Sequence, residues 1–430
     1  MSLARNPVKH PENSGVLRPC LLIMALLLGA CSVESTVLKP SGFAVEAPAA
    51  GTSFPSYIAD AESHIYSALM QTQYAHEAEP FGPGYPIEKL VAMRAPYELL
   101  PDPARCADGE RRGFVLVHGL TDSPYLLRSV AESLHEGYPC ALLRGLLLPG
   151  HGTVPGDTLK VGRDEWRAAV SYGVESLRAE VDDVYLVGFS LGTALALDYA
   201  DSHRDDPQLR GLILLSPALV AGNPYAWLSP YVRWVRAWTG SSEEVDAARY
   251  RTLSLNAAAE FYLVTRPLTA AEFTPLPFPV FMVATGDDTT VQSEPARQFF
   301  CDKAPQGQRH LLWYQSERSE SVPSVMCPGI EVVEGAAPQS RMYSMSHVAI
   351  PVPPEDPHYG VEGAFSRCLR LGSGDESRLC QEEESGVVFG EINLGIDGLY
   401  NGGRVRRGTF NPHYAAMMDG ITCFIDGDCR

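Results

Sequence analysis

The residues with the clearest chemical potential lie in the run 183–197, DVYLVGFSLGTALAL. A short apolar, β-branched stretch leads into Gly-Phe-Ser-Leu-Gly, and a helix-favouring series follows from Leu191. This order predicts a strand, a sharp turn and a helix, with Ser190 held in a strained conformation that exposes its hydroxyl. Gly188 and Gly192 remove the side chains that would collide in such a turn. Because the following helix directs free N–H groups to the same point, the run predicts a nucleophile beside an anion site.

A serine nucleophile needs a base within hydrogen-bond reach, and the base needs a carboxylate that holds its tautomer. Two neighbouring carboxylates, Asp287 and Asp288, follow an apolar run, and a turn after a strand end is where a parallel sheet places its functional groups. The base candidate is His347, with His358 as its nearest rival. The chain order Ser, Asp, His is the order that a strand-turn-helix nucleophile uses.

An ester carbonyl that becomes tetrahedral also needs two fixed hydrogen-bond donors for its oxygen. One is the amide of the residue after the nucleophile, Leu191. The other is expected in the loop after an early strand, where FVLVHGLTDSP presents the amide of Leu120. Two further histidines, His118 in this loop and His151 in LLPGHG, are expected to brace loops by hydrogen bonding.

The elements that must position these residues alternate along the chain. Apolar runs of strand length are followed by helical stretches from residue 113 to 216 and again from 279 to 314, which predicts βαβ order and a parallel, covered sheet. Residues 221–275 interrupt the alternation and predict a cap. Five apolar residues recur there at helical spacing and predict a buried face, either an aromatic cap underside or packing on the main domain: Trp227, Tyr231, Trp234, Val235 and Trp238.

The motifs together resemble the α/β-hydrolases, and most closely the monoacylglycerol-lipase and carboxylesterase branch. In that branch HG, LPGHG, GxSxG, an acidic turn and a late histidine occur in the order seen here over about residues 111–350, with a helical cap before the acid. The resemblance implies an α/β-hydrolase fold, with a mostly parallel central sheet, helices on both faces and a helical cap insertion. It also implies that Ser190 is the nucleophile, His347 the base, and Leu120 and Leu191 the oxyanion donors.

The acid is assigned by the same resemblance. In the family it precedes a valine by three residues, as Asp288 precedes Val291, so Asp288 is preferred. The carboxylate here follows Gly286 one residue sooner than is usual, which keeps Asp287 open. The step from the acid to His347 is also longer than is usual in the family.

The first residues have the pattern of a targeting segment. A basic start precedes an apolar run over residues 20–30 that is too short to span a bilayer. The ending Leu-Gly-Ala-Cys31 resembles the bacterial lipoprotein signal, in which the cysteine is acylated, and Ser32 implies delivery to the outer membrane. The alternative is an ordinary secretory signal. We therefore expect a signal peptide over 1–30, a tether over 31–57 and a hydrolase domain over 58–430 with the cap insertion at 221–275.

Eight cysteines follow Cys31, and an even number in an exported chain predicts disulfides. The favoured pair is Cys106–Cys140, because these residues flank two strands expected to be neighbours. The other plausible local pairs are Cys301–Cys327, Cys368–Cys380 and Cys423–Cys429.

Composition and motifs together define the expected function. A net charge of −18 argues against binding nucleic acid by charge, and the absence of a CxxC pair argues against structural zinc. We expect a lipid-anchored envelope serine hydrolase that needs no metal or organic cofactor and cleaves short to medium acyl esters or monoglycerides. Alternatives are a thioesterase or amidase that uses the same three residues, and a non-catalytic envelope lipoprotein that uses the scaffold for binding. The sequence leaves the oligomeric state open.

Overall fold

The computed structural model describes residues 36–106, 111–240, 242–317, 327–365, 386–391, 399–400 and 403–428. The strands of its central sheet are β1 (Tyr97–Leu99), β2 (Arg112–Val117), β3 (Leu142–Leu146), β4 (Asp183–Phe189), β5 (Leu209–Leu215), β6 (Val280–Thr285), β7 (Arg309–Gln315) and β8 (Ile330–Glu334). The order across the sheet is β1-β3-β2-β4-β5-β6-β7-β8. β1 runs antiparallel to β3, and all the other neighbours are parallel.

Helices separate the parallel strands and supply the crossovers that parallel pairing requires. They are α1 (Phe54–Gln71), α2 (Ile87–Arg94), α3 (Arg128–Gly137), α4 (Arg163–Leu177), α5 (Leu191–Ser202), α6 (Ser229–Val232), α7 (Leu255–Leu268), α8 (Ser293–Lys303) and α9 (Tyr414–Asp426). The inner strands are buried over almost their whole length, which explains why they are continuous apolar runs rather than alternating patterns. The prediction of a mostly parallel, helix-covered sheet is confirmed.

The parallel strands bring four chain segments to one edge of the sheet. β2, β4, β5 and β6 all end at this edge, because neighbouring parallel strands share their direction. The residues that follow these four ends are His118, Ser190, Ser216 and Gly286. Segments far apart in sequence therefore converge on one small region.

The chain between β5 and β6 carries the helical insertion expected for a cap, but its aromatic face points the wrong way. Trp227, Tyr231, Trp234 and Val235 are 51 to 85 % exposed instead of buried. Helix α6 is only one turn long, and its inward positions are taken by smaller side chains such as Val232, so the larger rings lie on the opposite side. The prediction that these side chains form a buried aromatic face is therefore wrong.

The domain begins before the expected boundary at residue 58. Helix α1 starts at Phe54 behind the cap residue Ser53. Val45 is buried, and the backbone N–H of Ser41 donates to Asp157 at 2.7 Å. The prediction of a tether over residues 31–57 is thus corrected from residue 36 onward, because that stretch packs on the domain. Cys31 and the segment before it lie outside the described residues.

The C-terminal region forms a second, small sheet. Its strands are β9 (Val387–Gly390), β10 (Leu399–Tyr400) and β11 (Gly403–Arg407), in the order β10-β11-β9, with β9 and β11 parallel. Helix α9 follows. Within the described residues, no helix combines the length and the apolar character needed to cross a membrane.

Two of the expected disulfides are present. Cys106 pairs with Cys140, and Cys301 pairs with Cys327. The first joins the segment before β2 to the segment before β3, as the sequence predicted. The pairs Cys368–Cys380 and Cys423–Cys429 involve residues outside the described part of the chain.

Candidate active site

Ser190 occupies a strained turn between β4 and α5. Its φ is +54° and its ψ is −116°, a conformation that non-glycine residues rarely adopt. The turn is close-packed, because a Cβ on Gly192 would clash with the carbonyl of Val117 and one on Gly188 would meet the backbone of Gly192. The Ser190 N–H donates to Leu215 O at 3.0 Å, which ties the turn to β5. The strand-turn-helix prediction is confirmed, and the Ser190 side chain lines a cavity.

Three side chains form a hydrogen-bonded line at this turn. Ser190 Oγ lies 2.9 Å from His347 Nε2, and His347 Nδ1 lies 2.6 Å from Asp288 Oδ2. A carboxylate only accepts, so Nδ1–H donates to Asp288 and Nε2 is free to accept the Ser190 hydroxyl proton. The His347 and Asp288 side chains are 3 % and 2 % exposed. The structure therefore brings together the three residues chosen from the sequence, in the tautomer that proton transfer requires.

The two neighbouring carboxylates point in different directions, and only Asp288 reaches the histidine. Its second oxygen, Oδ1, accepts from the N–H groups of Thr290 and Val291 at 2.8 and 2.9 Å, so its own turn fixes the carboxylate. Asp287 Oδ1 accepts from Ser316 Oγ at 2.8 Å. Asp287 is itself buried, and its carboxylate lies against Ser316 rather than His347.

The expected oxyanion donors both lie beside Ser190. Leu191 is the first residue of α5, so its N–H has no acceptor within the helix. The Leu120 N–H has no acceptor among the described residues, and Leu120 lines the cavity. The loop that carries Leu120 approaches the nucleophile closely, because a Cβ on Gly119 would lie 3.0 Å from Ser190 Cβ. Their role as donors to a substrate oxygen remains a prediction.

Two buried histidines brace the loop that carries Leu120, as expected. His118 Nε2 accepts from the N–H of Leu148 at 3.0 Å, and His151 Nε2 accepts from the N–H of Thr121 at 3.1 Å. Thr121 has a φ of +70°, so this bond holds a strained backbone. Burial lowers the pKa of His151 to about 4 and holds that of His118 well below its usual range. Both rings are therefore neutral and can accept.

His358, the rival base, is committed to another cluster. Its Nε2 lies 3.0 Å from Asp246 Oδ1, and its Nδ1 lies 2.5 Å from the Tyr85 hydroxyl. It is buried, and both of its ring nitrogens are engaged by Tyr85 and Asp246. The structure thus favours His347 over His358.

The cavity above Ser190 has a volume of about 550 Å³. The helical insertion supplies much of its wall through apolar side chains, which include Leu228, Val232, Leu253, Leu255 and Phe261. Charged side chains line another part. There Asp122 and Arg249 form an ion pair at 3.3 Å, and burial raises the pKa of the Asp122 carboxyl. The site can thus hold a substrate with an apolar and a polar portion.

Sequence reasoning missed several residues of this region. Asp122 lies in the HGLTDSP run, but no pattern marked its carboxylate as part of the cavity. Arg249 belongs to the insertion, and Arg407 and Glu391 belong to the C-terminal region, for which the sequence predicted no role. Glu391 accepts a hydrogen bond from the backbone N–H of His347 at 3.0 Å. Only the folded chain reveals these contacts.

Part of the chain is similar in sequence to a known lipase. The thermostable monoacylglycerol lipase of Bacillus sp. (strain H-257) is 33 % identical over 116 residues, which are 26 % of this chain and 44 % of that protein. This chain thus matches less than half the length of that relative.

Solved structures of similar shape include two monoacylglycerol lipases. The enzyme of Paleococcus ferrophilus is 20 % identical, with a TM-score of 0.41, over 51 % of this chain and 88 % of its own. A soluble variant of the monoglyceride lipase of Saccharomyces cerevisiae is 14 % identical, with a TM-score of 0.40, over 52 % of this chain and 83 % of its own.

A family model supplies the stronger evidence. The model described as "Alpha/beta hydrolase family" matches residues 114–333, just over half of the chain. The match runs from β2 into β8 and includes the turn at Ser190 and the acidic turn after β6. The chain therefore belongs to the alpha/beta hydrolase family.

Proposed function

We propose that the protein is a serine hydrolase that cleaves carboxylic esters through a covalent acyl-enzyme. The observation that carries this proposal is the hydrogen-bonded line from Ser190 through His347 to Asp288 on the wall of a largely apolar cavity. A buried serine that only stabilised the fold would not need a histidine, an oriented carboxylate and a strained turn. This arrangement is how proteins make a weak nucleophile reactive.

In the proposed reaction, Ser190 Oγ attacks the ester carbonyl carbon while His347 Nε2 accepts its proton. The carbonyl oxygen becomes an oxyanion, and the amides of Leu120 and Leu191 stabilise it together with the N-terminus of α5. The intermediate then expels the alcohol, which takes the proton from His347, and leaves an acylated Ser190. Water then attacks this ester while His347 takes one of its protons. The bond between the acyl carbon and Ser190 Oγ breaks, Oγ takes the proton back from His347, and the carboxylic acid is released. Asp288 keeps the imidazole oriented and stabilises its charged form throughout.

We infer the substrate class from the cavity. Its apolar wall suits an acyl chain, and its volume of about 550 Å³ suits a substrate of short or medium length. Monoglycerides are candidates because they combine one acyl chain with a polar alcohol, and a relative is named a monoacylglycerol lipase.

We further propose that the mature protein is anchored to the envelope, at the outer membrane, through lipid on Cys31. The support is the sequence alone: a basic start, a short apolar run and the ending Leu-Gly-Ala-Cys.

The test of the enzymatic proposal compares wild type with Ser190→Ala. Loss of a triad nucleophile costs about a millionfold in kcat, so Ser190→Ala should have no measurable turnover on p-nitrophenyl esters and no labelling by a fluorophosphonate. Its melting temperature should stay close to that of wild type, because alanine keeps the Cβ and the backbone of the turn and loses only the hydroxyl. Turnover by Ser190→Ala near the wild-type rate would refute the mechanism. A panel of esters, thioesters and amides with acyl chains of increasing length then identifies the leaving group and chain preference.

A further inference from the structure

The C-terminal region pairs with the loop that carries His347. The N–H of Phe389 in β9 donates to Arg341 O at 2.8 Å, and the N–H of Tyr343 donates to Phe389 O at 2.9 Å. Gly390 is needed for this approach, because a Cβ there would overlap the Tyr343 ring. The N–H of Glu391 then donates to Ser344 Oγ at 2.9 Å. β9 therefore extends along the histidine loop and delivers Glu391 to its end.

The Glu391 carboxylate joins the two loops that carry the acid and the base. Its Oε2 accepts from the backbone N–H of His347 at 3.0 Å. Its Oε1 accepts from Thr289 Oγ1 at 2.9 Å, and Thr289 is the residue after Asp288. A single carboxylate thus bonds to the backbone of His347 and to the side chain of the residue next to Asp288.

The surroundings make this contact rigid. Glu391 is 1 % exposed, so water does not compete effectively for its oxygens. Arg407 compensates its charge, with its guanidinium 3.3 Å from Glu391 Oε2 and 2.7 Å from Thr290 Oγ1. Thr290 is also in the turn of the acid. Glu391 and Arg407 come from the paired strand ends of β9 and β11, where Gly390 lies opposite Arg407.

We propose that Glu391 is a positioning residue for the hydrolytic reaction and that the C-terminal sheet completes the active site. This inference rests on the proposed function, which supplies the roles of Ser190, His347 and Asp288. Glu391 touches no reacting atom. It fixes the distance between the acid turn and the histidine loop, so that Nδ1 stays in line with Asp288 and Nε2 with Ser190.

The proposal predicts a loss of rate rather than of substrate binding. Glu391 is not among the described residues that line the cavity, so its replacement should change kcat more than KM. Misplacement of a catalytic group by about 1 Å costs up to about 100-fold in rate. Glu391→Gln keeps the size of the side chain but removes its charge and places an N–H₂ group against a donor. We expect kcat to fall about 10- to 100-fold, with KM changed by less than about 3-fold.

The control is another buried carboxylate that pairs with an arginine. Asp206 lies before β5, at the opposite edge of the sheet from Ser190, with its side chain 4 % exposed and 2.6 Å from Arg178. Asp206→Asn also removes one charge of a buried pair. If Glu391 only stabilises the fold, both variants should have lower melting temperatures. Both should still keep the wild-type kcat when they are assayed at temperatures well below melting. If Glu391 positions the histidine, only Glu391→Gln loses kcat, and its fluorophosphonate labelling slows in proportion.

Both variants are made in the full-length chain, and turnover of a p-nitrophenyl ester is measured with thermal melting. Wild-type kcat in folded Glu391→Gln, or an equal loss in Asp206→Asn, would overturn the proposal. If Glu391→Gln does not fold, Thr289→Val decides, because it removes one hydrogen bond and keeps the carboxylate. A several-fold lower kcat is then expected, and an unchanged kcat would overturn the inference. Absence of turnover and labelling in wild type would instead refute the proposed function itself.

Discussion

At the scale of single residues, the direction of each side chain decides what it can do. Asp287 and Asp288 are adjacent and both buried, yet one bonds Ser316 and the other bonds His347. Both residues lie in the turn after β6, where the N–H groups of Thr290 and Val291 hold the Asp288 carboxylate and Ser316 holds that of Asp287. The sequence left these two residues as candidates for the acid, and the folded turn directs only Asp288 toward His347.

Asp288→Asn should lower ester kcat by about 10⁴, because an asparagine can no longer hold the imidazole in the required tautomer and stabilise its charge. Asp287→Asn should keep most of the activity, since the Asp287 carboxylate accepts a hydrogen bond from Ser316 rather than from His347. Initial rates on a p-nitrophenyl ester, with circular dichroism to check folding, distinguish the two. The reverse ranking would move the acid to Asp287. Small and equal losses would show that neither carboxylate orients the base.

A site residue could be predicted from the sequence only where it belongs to a motif. Ser190 lies between glycines in a local pattern, and Asp288 and His347 follow in the expected order, so their positions could be proposed from sequence. Glu391 lies 44 residues from His347 and 102 from Thr289. The groups that it contacts in the two loops are a backbone N–H and a hydroxyl, which occur throughout any sequence. No local pattern could have identified it.

At the scale of elements, the strands were easier to predict than the insertion. A strand buried on both faces is apolar throughout. It can therefore be recognised even when its predicted ends are wrong by a residue or two. A one-turn helix such as α6 lacks a reliable periodicity. Trp227, Tyr231 and Trp234 share a face, but spacing alone does not say whether that face points toward the cavity or the solvent. The structure shows the latter.

The loops at the functional edge depend on neutral histidines, which predicts a pH dependence of stability. The pKa of His151 is about 4 in the folded protein and about 6.5 when the chain is unfolded. Below about pH 6.5 the unfolded chain therefore binds a proton that the folded chain excludes, and the free energy of unfolding falls as the pH drops toward 4. From pH 7 to 5 the loss from His151 should be about 2 kcal/mol. His118 adds to it, because burial lowers its pKa as well.

Urea denaturation at about pH 7, 6 and 5 measures this loss. His151→Asn should be less stable at pH 7 and should lose less stability on acidification than wild type. His135 is more exposed, and its Nε2–H donates to Leu100 O, so His135→Ala should retain the pH dependence that neutral His151 causes. An equal pH slope in wild type and His151→Asn would contradict this account.

At the scale of the whole molecule, the chain surrounds one site with elements from most of its length. The family match ends at residue 333, before the loop of His347 and before the C-terminal sheet. These later elements nevertheless contribute His347, the proposed base, together with Glu391 and Arg407. The disulfide Cys301–Cys327 joins α8 to the segment before β8 and so ties the last strands of the central sheet to the domain. The α/β core and His347 could be proposed from motifs, whereas the contacts of Glu391 and Arg407 required the structure.

The proposed membrane location of the protein depends on lipid attached to Cys31 and can be tested at that residue. One acyl chain gives only marginal membrane binding, whereas the several chains of a bacterial lipoprotein should hold the protein firmly on a bilayer. Cys31→Ser should therefore release the protein into the periplasm or leave the precursor unprocessed. Cys20→Ser is the matched control, because Cys20 begins the same apolar run but has no small-residue pair before it. Membrane fractionation of cells that express each variant, with mass spectrometry of the mature N-terminus, gives the result. Recovery of the wild-type protein as a wholly soluble periplasmic species, with an unmodified cysteine, would refute the anchor and leave the hydrolase proposal intact.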